Sequence, residues 1–104
     1  MVINCTLHDV NIYTPSGCRV YPAAKGPARA IYVQRIAGAV DGTLIYRRFT
    51  EDIVNLPDPK PGTYYIVSKR LAQACPERKD LIFPRTVVRD ADGHIVGYVD
   101  FSRV

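Results

Sequence analysis

The dipeptide Asp41-Gly42 constrains this chain more than any other feature, because of what flanks it. Ala30-Ile31-Tyr32-Val33-Gln34-Arg35-Ile36 precedes it and Thr43-Leu44-Ile45-Tyr46-Arg47-Arg48-Phe49 follows it, both rich in β-branched and aromatic residues. Asp-Gly supplies the two positive φ angles of a type I′ turn, whose twist matches that of the strands it joins. The pattern predicts a tight hairpin with Val40 opposite Thr43. A regular ladder from that turn sets Ile36 opposite Arg47, Arg35 opposite Arg48 and Gln34 opposite Phe49. A slip of one residue would exchange every face.

Gly and Pro punctuate the rest of the chain. Asn11–Thr14 and Cys18–Tyr21 read as two short strands around a Pro15-Ser16-Gly17 turn, and Pro22 to Pro27 as a loop. Leu56-Pro57-Asp58-Pro59-Lys60-Pro61-Gly62 excludes helix and strand interiors and predicts an extended bridge ending in a Pro-Gly turn. Thr63-Tyr64-Tyr65-Ile66-Val67 reads as a central strand. One helix is predicted, from Ser68 to Cys75: Ser68 is a natural N-cap, Pro76 stops the helix, and Leu71, Ala74 and Cys75 form one apolar stripe. Arg85–Arg89 and His94–Phe101 form a closing hairpin around Gly93. These elements make one domain, residues 1–104, of a β-rich α+β class: a small, mainly antiparallel sheet or partly closed barrel with one short helix, without the βαβ alternation of a doubly wound sheet.

At 104 residues the chain can build one hydrophobic core, and without Trp that core must come from Ile, Val, Leu, Tyr and Phe. No apolar run is long enough to span a bilayer, and the start, Met1-Val2-Ile3-Asn4-Cys5, lacks the pattern of a secretory signal, so a cytoplasmic location is expected. Three cysteines, Cys5, Cys18 and Cys75, with no C-x-x-C, suit reduced thiols. The formal net charge is +4, carried by scattered arginines. A balance of that size keeps a small domain soluble and is compatible with an anionic partner.

Asn4-Cys5-Thr6-Leu7-His8-Asp9-Val10 resembles an N-L-T-P-H-x-V/I start. Leu56-Pro57-Asp58-Pro59 with Gly62-Thr63-Tyr64-Tyr65-Ile66-Val67-Ser68 resembles a G-L-P-x-P…G-T-x-Y-I-V-S block, followed by Pro76-Glu77-Arg78-Lys79-Asp80-Leu81 and Val88-Arg89-Asp90-Ala91-Asp92-Gly93-His94-Ile95-Val96-Gly97. Together these resemble a family of short, uncharacterised proteins of phages, prophages and some bacteria. The chain departs from the pattern at Cys5 and Leu7, where the family has Leu and Pro. The resemblance implies context and no activity: a phage-type small gene product acting in the host cytosol.

Catalytic and metal motifs are not assembled in the sequence. Cys5, His8, Cys18, Cys75 and His94 lack structural-zinc spacing. Ser68 sits at a strand-to-helix turn without the glycines of a nucleophile elbow, so its N-cap role accounts for it and a triad with His8 and Asp9 is not expected. Asp90 and Asp92 read as turn residues. The arginines stand out. The regular register makes Arg35 and Arg48 a like-charged cross-strand pair on the face of Tyr46, which destabilises the hairpin unless the two splay into water or an anion lies between them. Lys69 and Arg70 occupy the first helical turn, where the macrodipole disfavours cations; a bound anion or a nearby carboxylate would relieve that, and exposed side chains on a solvated face are the alternative to a site. The expected site is therefore an anion-binding face of Arg35, Arg48, Tyr46, Lys69 and Arg70, in a non-enzymatic binding module with no cofactor and no metal. Its partner is an anionic small molecule or a host protein. Nucleic acid and a homo-oligomer are the other partner classes, and no membrane is expected.

Overall fold

The computed structural model describes residues 1–104. Along the chain lie β1 (Val2–Asn4), β2 (Val10–Thr14), β3 (Gly17–Tyr21), β4 (Arg29–Val40), β5 (Thr43–Val54), β6 (Tyr64–Ile66), α1 (Lys69–Ala74), β7 (Leu81–Pro84), β8 (Val87–Arg89), β9 (Ile95–Tyr98) and β10 (Phe101–Ser102). The class is β-rich α+β, as the residue pattern predicts. The strands form three sheets and no closed barrel: β1-β6-β7-β10, β3-β2-β9-β8, and the pair β4-β5. No helix is long and apolar enough to cross a membrane.

The strand β6 is central, as expected, but it runs parallel to both neighbours, β1 and β7. With α1 between them, β6 and β7 make one βαβ unit that the sequence reading did not anticipate. Its residues explain the placement. A strand buried on both faces carries a continuous apolar run, and here Tyr65, Ile66 and Val67 are all buried. Tyr65 and Val67 join Leu71, Ala72, Cys75, Cys5, Leu81 and Phe83 beneath α1. Ile66 points the other way, to Val10 and Ile12 of β2. Helix and second sheet thus lie on opposite sides of the first sheet. The buried stripe of α1 is Leu71, Ala72 and Cys75, with Ala74 half-buried, a shift from the predicted Leu71, Ala74 and Cys75. The Ser68 cap is as predicted, its Oγ accepting from the Leu71 amide at 3.1 Å.

Two polar devices fix the loops. The side chain of buried Asn4 uses its full hydrogen-bonding capacity. Its Nδ2 donates to the carbonyls of His8 and Tyr21, and its Oδ1 accepts from the Thr6 amide and hydroxyl. Arg78 grips Asp80 with two bonds, at 2.8 and 2.9 Å, and donates to the Pro57 carbonyl. The proline bridge is thereby pinned to the body, and the Tyr65 hydroxyl donates to Asp58 beside it. The bridge ends in the expected turn, with Gly62 at φ 73° and the Thr63 amide donating to Lys60.

The third sheet is an arm. Each of its strands has 12 residues. Every residue from Gln34 to Asp52 is exposed. Only its base is packed, where Ala28 and Ile53 touch the helix-side core. The radius of gyration is 16.8 Å, against about 13 Å for a compact chain of this length. The turn is as predicted, with Asp41 at φ 50°, Gly42 at φ 79° and Val40 opposite Thr43.

The predicted register fails beyond the turn. Arg35 lies opposite Arg47, Gln34 opposite Arg48, Val33 opposite Phe49 and Ile36 opposite Tyr46. The cause is a β-bulge at Ala37, between Ile36 and Gly38. One extra residue in a strand exchanges its faces relative to the partner. A second bulge, at Glu51, sets Asp52 opposite Ile31 and Thr50 opposite Tyr32.

Candidate functional site

The bulge at Ala37 separates the arginines that the regular ladder would pair. Cross-strand partners share a face, so Arg35 and Arg47 lie on one face of the arm with Val33 and Phe49. Arg48, Tyr46 and Tyr32 lie on the other. The like-charged pair is Arg35 with Arg47, and Arg47 rests over the Phe49 ring at 5.2 Å. Arg35 therefore does not belong to a site with Arg48. Lys69 is separate as well. It lines a cleft of about 370 Å³ with Thr6, His8, Asp9, Ser68 and Arg85.

Arg48 and Arg70 share one neighbour, Tyr32. Their guanidinium groups both lie on the Tyr32 ring, at 5.2 and 5.9 Å from its centre. Tyr32 is half-buried where the arm leaves the body. Beside it opens a crevice of about 470 Å³ that Arg29, Tyr32 and Arg70 line together with Thr6 and Ser68. Arg70 arrives from the first turn of α1, which the Ser68 cap fixes, and Arg48 from β5. No carboxylate lies within ion-pair distance of Arg29, Arg48 or Arg70; the ion pairs of the molecule are Arg78–Asp80, Arg85–Asp100 and the His94–Asp90 contact. Two planar forks held over one ring, with hydroxyls nearby, can take a phosphate or carboxylate by paired N–H bonds.

Sequence reasoning missed Tyr32 and Arg29, and it placed Arg35 wrongly. One signal was present. An isolated Gly inside a strand pattern marks a bulge, and Gly38 stands next to the bulged Ala37 with φ 155°.

The other constellations are structural. His8, Asp9 and Ser68 share the Lys69 cleft, yet neither His8 nor Asp9 hydrogen bonds Ser68, and the Asp9 carboxylate accepts from the Ala23 amide at 2.8 Å. Asp90, Asp92 and His94 crowd the exposed Gly93 turn, where Asp90 accepts from the Asp92 and His94 amides. That is the capping expected of a turn aspartate. None of the three cysteines is paired, and burial pushes the Cys5 and Cys75 thiols up. No family model matches the chain, nor does any curated protein or solved structure.

Proposed function

We propose that this chain is a small, non-enzymatic binding module of the phage type its motifs resemble, holding an anionic small molecule in the crevice at the base of the arm. The observation that carries this is the convergence of Arg48 and Arg70 on Tyr32, a ring that lines the crevice with Arg70 and Arg29, with no carboxylate in ion-pair distance of any of the three arginines. These guanidinium groups have no carboxylate partner in the chain, and an anion would supply them with charge-assisted hydrogen bonds. The half-buried ring keeps both forks where they are, so little ordering is needed on binding.

Thermal melting against inorganic phosphate and a panel of nucleotides tests the proposal. A ligand present at one hundred times its dissociation constant stabilises by about 2.7 kcal/mol. Arg48→Ala and Arg70→Ala should each weaken binding by about 1.5–3 kcal/mol, the worth of a charge-assisted contact. Lysine at either position should restore part of that loss, lacking the planar fork. Arg35→Ala, on the opposite face, should bind like the parent chain. The reading is wrong if no anion shifts the melt, or if Arg35→Ala loses the shift while Arg48→Ala keeps it.

A further inference from the structure

We infer that the outer edge of β5 pairs with the same edge of a second copy of this chain, joining two arms into a four-stranded antiparallel sheet ordered β4-β5-β5-β4. This goes beyond the crevice reading and does not depend on it.

The arm needs a partner on physical grounds. A lone two-stranded ribbon is marginal in water, and three or more strands make a stable sheet. Here β5 pairs only with β4, so the backbone groups on its far side are an unused pairing edge. The apolar side chains beside that edge, Ile45, Tyr46 and Phe49 among them, are exposed.

Charge order selects the occupant. The segment Arg47-Arg48-Phe49-Thr50-Glu51-Asp52 carries its cations first and its acids last. Laid antiparallel against itself it sets acids against cations; laid parallel it sets like against like. Opposite charges directly across a ladder stabilise it, and like charges destabilise it.

Register supports the same choice. With a two-fold axis at Phe49, Phe49 meets Phe49 of the second copy and Arg48 meets Thr50. The Glu51 bulge then matters. It sets Asp52 opposite Ile31, on the face that Val33, Phe49 and Arg47 share. In an unbulged strand Asp52 would point to the other side. Arg47 therefore meets Asp52 of the second copy on a common face, twice per dimer by symmetry. Neither side chain belongs to an ion pair within the chain; Arg47 rests on the Phe49 ring, and Asp52 accepts from the Ile53 amide through Oδ1, which leaves Oδ2 for the contact. Such a contact is isologous and closed, giving a dimer and not a filament.

Sedimentation of the full chain over a range of concentrations, with a charge swap, tests the dimer. The parent chain should dimerise. Arg47→Asp and Asp52→Arg should each raise the dissociation constant about tenfold or more, since each reversal turns two attractive cross-strand pairs repulsive. The double variant Arg47→Asp/Asp52→Arg should recover most of the loss, which no damage to the fold could mimic. A second readout is covalent. In a Cys18→Ser background, Phe49→Cys should form an intermolecular disulfide on mild oxidation. A parent chain monomeric at every concentration, single reversals without effect, a double variant no better than the singles, or an absent Phe49→Cys crosslink would each overturn the proposal.

Discussion

In the body, Tyr65, Ile66, Val67 and Leu71 are almost wholly buried and no buried side-chain polar atom lacks a partner, whereas in the arm every residue from Gln34 to Asp52 is exposed. Both regions are built from Ile, Val, Tyr and Phe at β-sheet spacing. In the body those residues are removed from water, and burial holds the strands together. In the arm they are not, and what holds the ribbon is its ladder of backbone hydrogen bonds, a favourable turn and a few cross-strand side-chain contacts. An alternating apolar pattern thus specifies a strand without specifying what covers it. An uncovered strand this long points to function, because it costs solubility and does nothing for the core.

The sharpest way to break that comparison is to truncate one apolar side chain in each region. Leu71→Ala should destabilise by about 2–5 kcal/mol, because the packed core beneath α1 cannot collapse onto the gap. Its melting temperature should fall by roughly 4–8 °C for each kcal/mol lost. Ile36→Ala, at a position 61% exposed, should stay within about 0.5 kcal/mol of the parent in dilute solution. Equal losses from the two substitutions, measured by thermal or urea unfolding, would mean that the arm is covered even in the monomer.

Acid acts on the body through two Arg–Asp clamps, of which the one at Asp100 is the more strongly shifted. Asp100 accepts from the Arg85 guanidinium and, at 2.9 Å, from the Thr86 amide, tying the end of β7 to the turn before β10. The Arg85 bond is the larger cause and the Thr86 amide the next, and together they lower the Asp100 carboxyl from an ordinary 3.8 to about 2. Arg78 likewise holds Asp80 below its ordinary range. A carboxyl whose pKa is lower in the folded state stabilises the fold fully above its unfolded pKa and loses that contribution as pH falls through the folded one. Stability should therefore drop between about pH 4 and pH 2. Asp100→Asn should be less stable than the parent near neutrality and lose less on acidification. Parallel melting curves for the two proteins across that interval would show that the Asp100 clamp contributes nothing.

What the sequence disclosed and what it withheld divide along the same line between local and distant causes. Asp41-Gly42, the Ser68 cap, the Pro61-Gly62 turn and the proline bridge are local encodings, and each stands where its residues demand. The continuous apolar run at Tyr64–Val67 correctly announced a central strand. Its parallel neighbours were not read for two different reasons: β1 pairs across most of the sequence, Val2 with Tyr64, whereas β7 lies only one helix downstream but is a short run, Leu81–Pro84, ending in a proline. The site fared likewise. Arg48 and Arg70 were singled out as electrostatic oddities, but Tyr32, which unites them, is chemically an ordinary strand residue. Arg35 was assigned to the wrong face because the ladder was extrapolated through Gly38 as though strands never bulge.

That misassignment yields the finest test, because its expected effect is nearly nil. Ala37 is the extra residue of the β4 bulge. If it is removed, Ile36 and Gly38 become neighbours in a regular ladder, Val40 still faces Thr43, and Arg35 still faces Arg47. Every side chain nearer the body keeps its face, including Tyr32 beneath Arg48. Since Ala37 is exposed and makes no side-chain hydrogen bond, its deletion should change stability by no more than about 0.5 kcal/mol, like other neutral surface changes. Nuclear Overhauser contacts across the deleted ribbon should still join residues 35 and 47. The regular register makes the opposite forecast. In a ribbon without a bulge, losing one strand residue slides the base by one position and turns Tyr32, Val33 and Arg35 to opposite faces, so Arg48 would part from Tyr32 and the packing of Ala28 and Ile53 at the base would be strained. A melting temperature within error of the parent, with anion binding at the crevice retained, separates the two registers. A collapse in either would mean that the arm is regular and that Arg35 belongs with Arg48 after all.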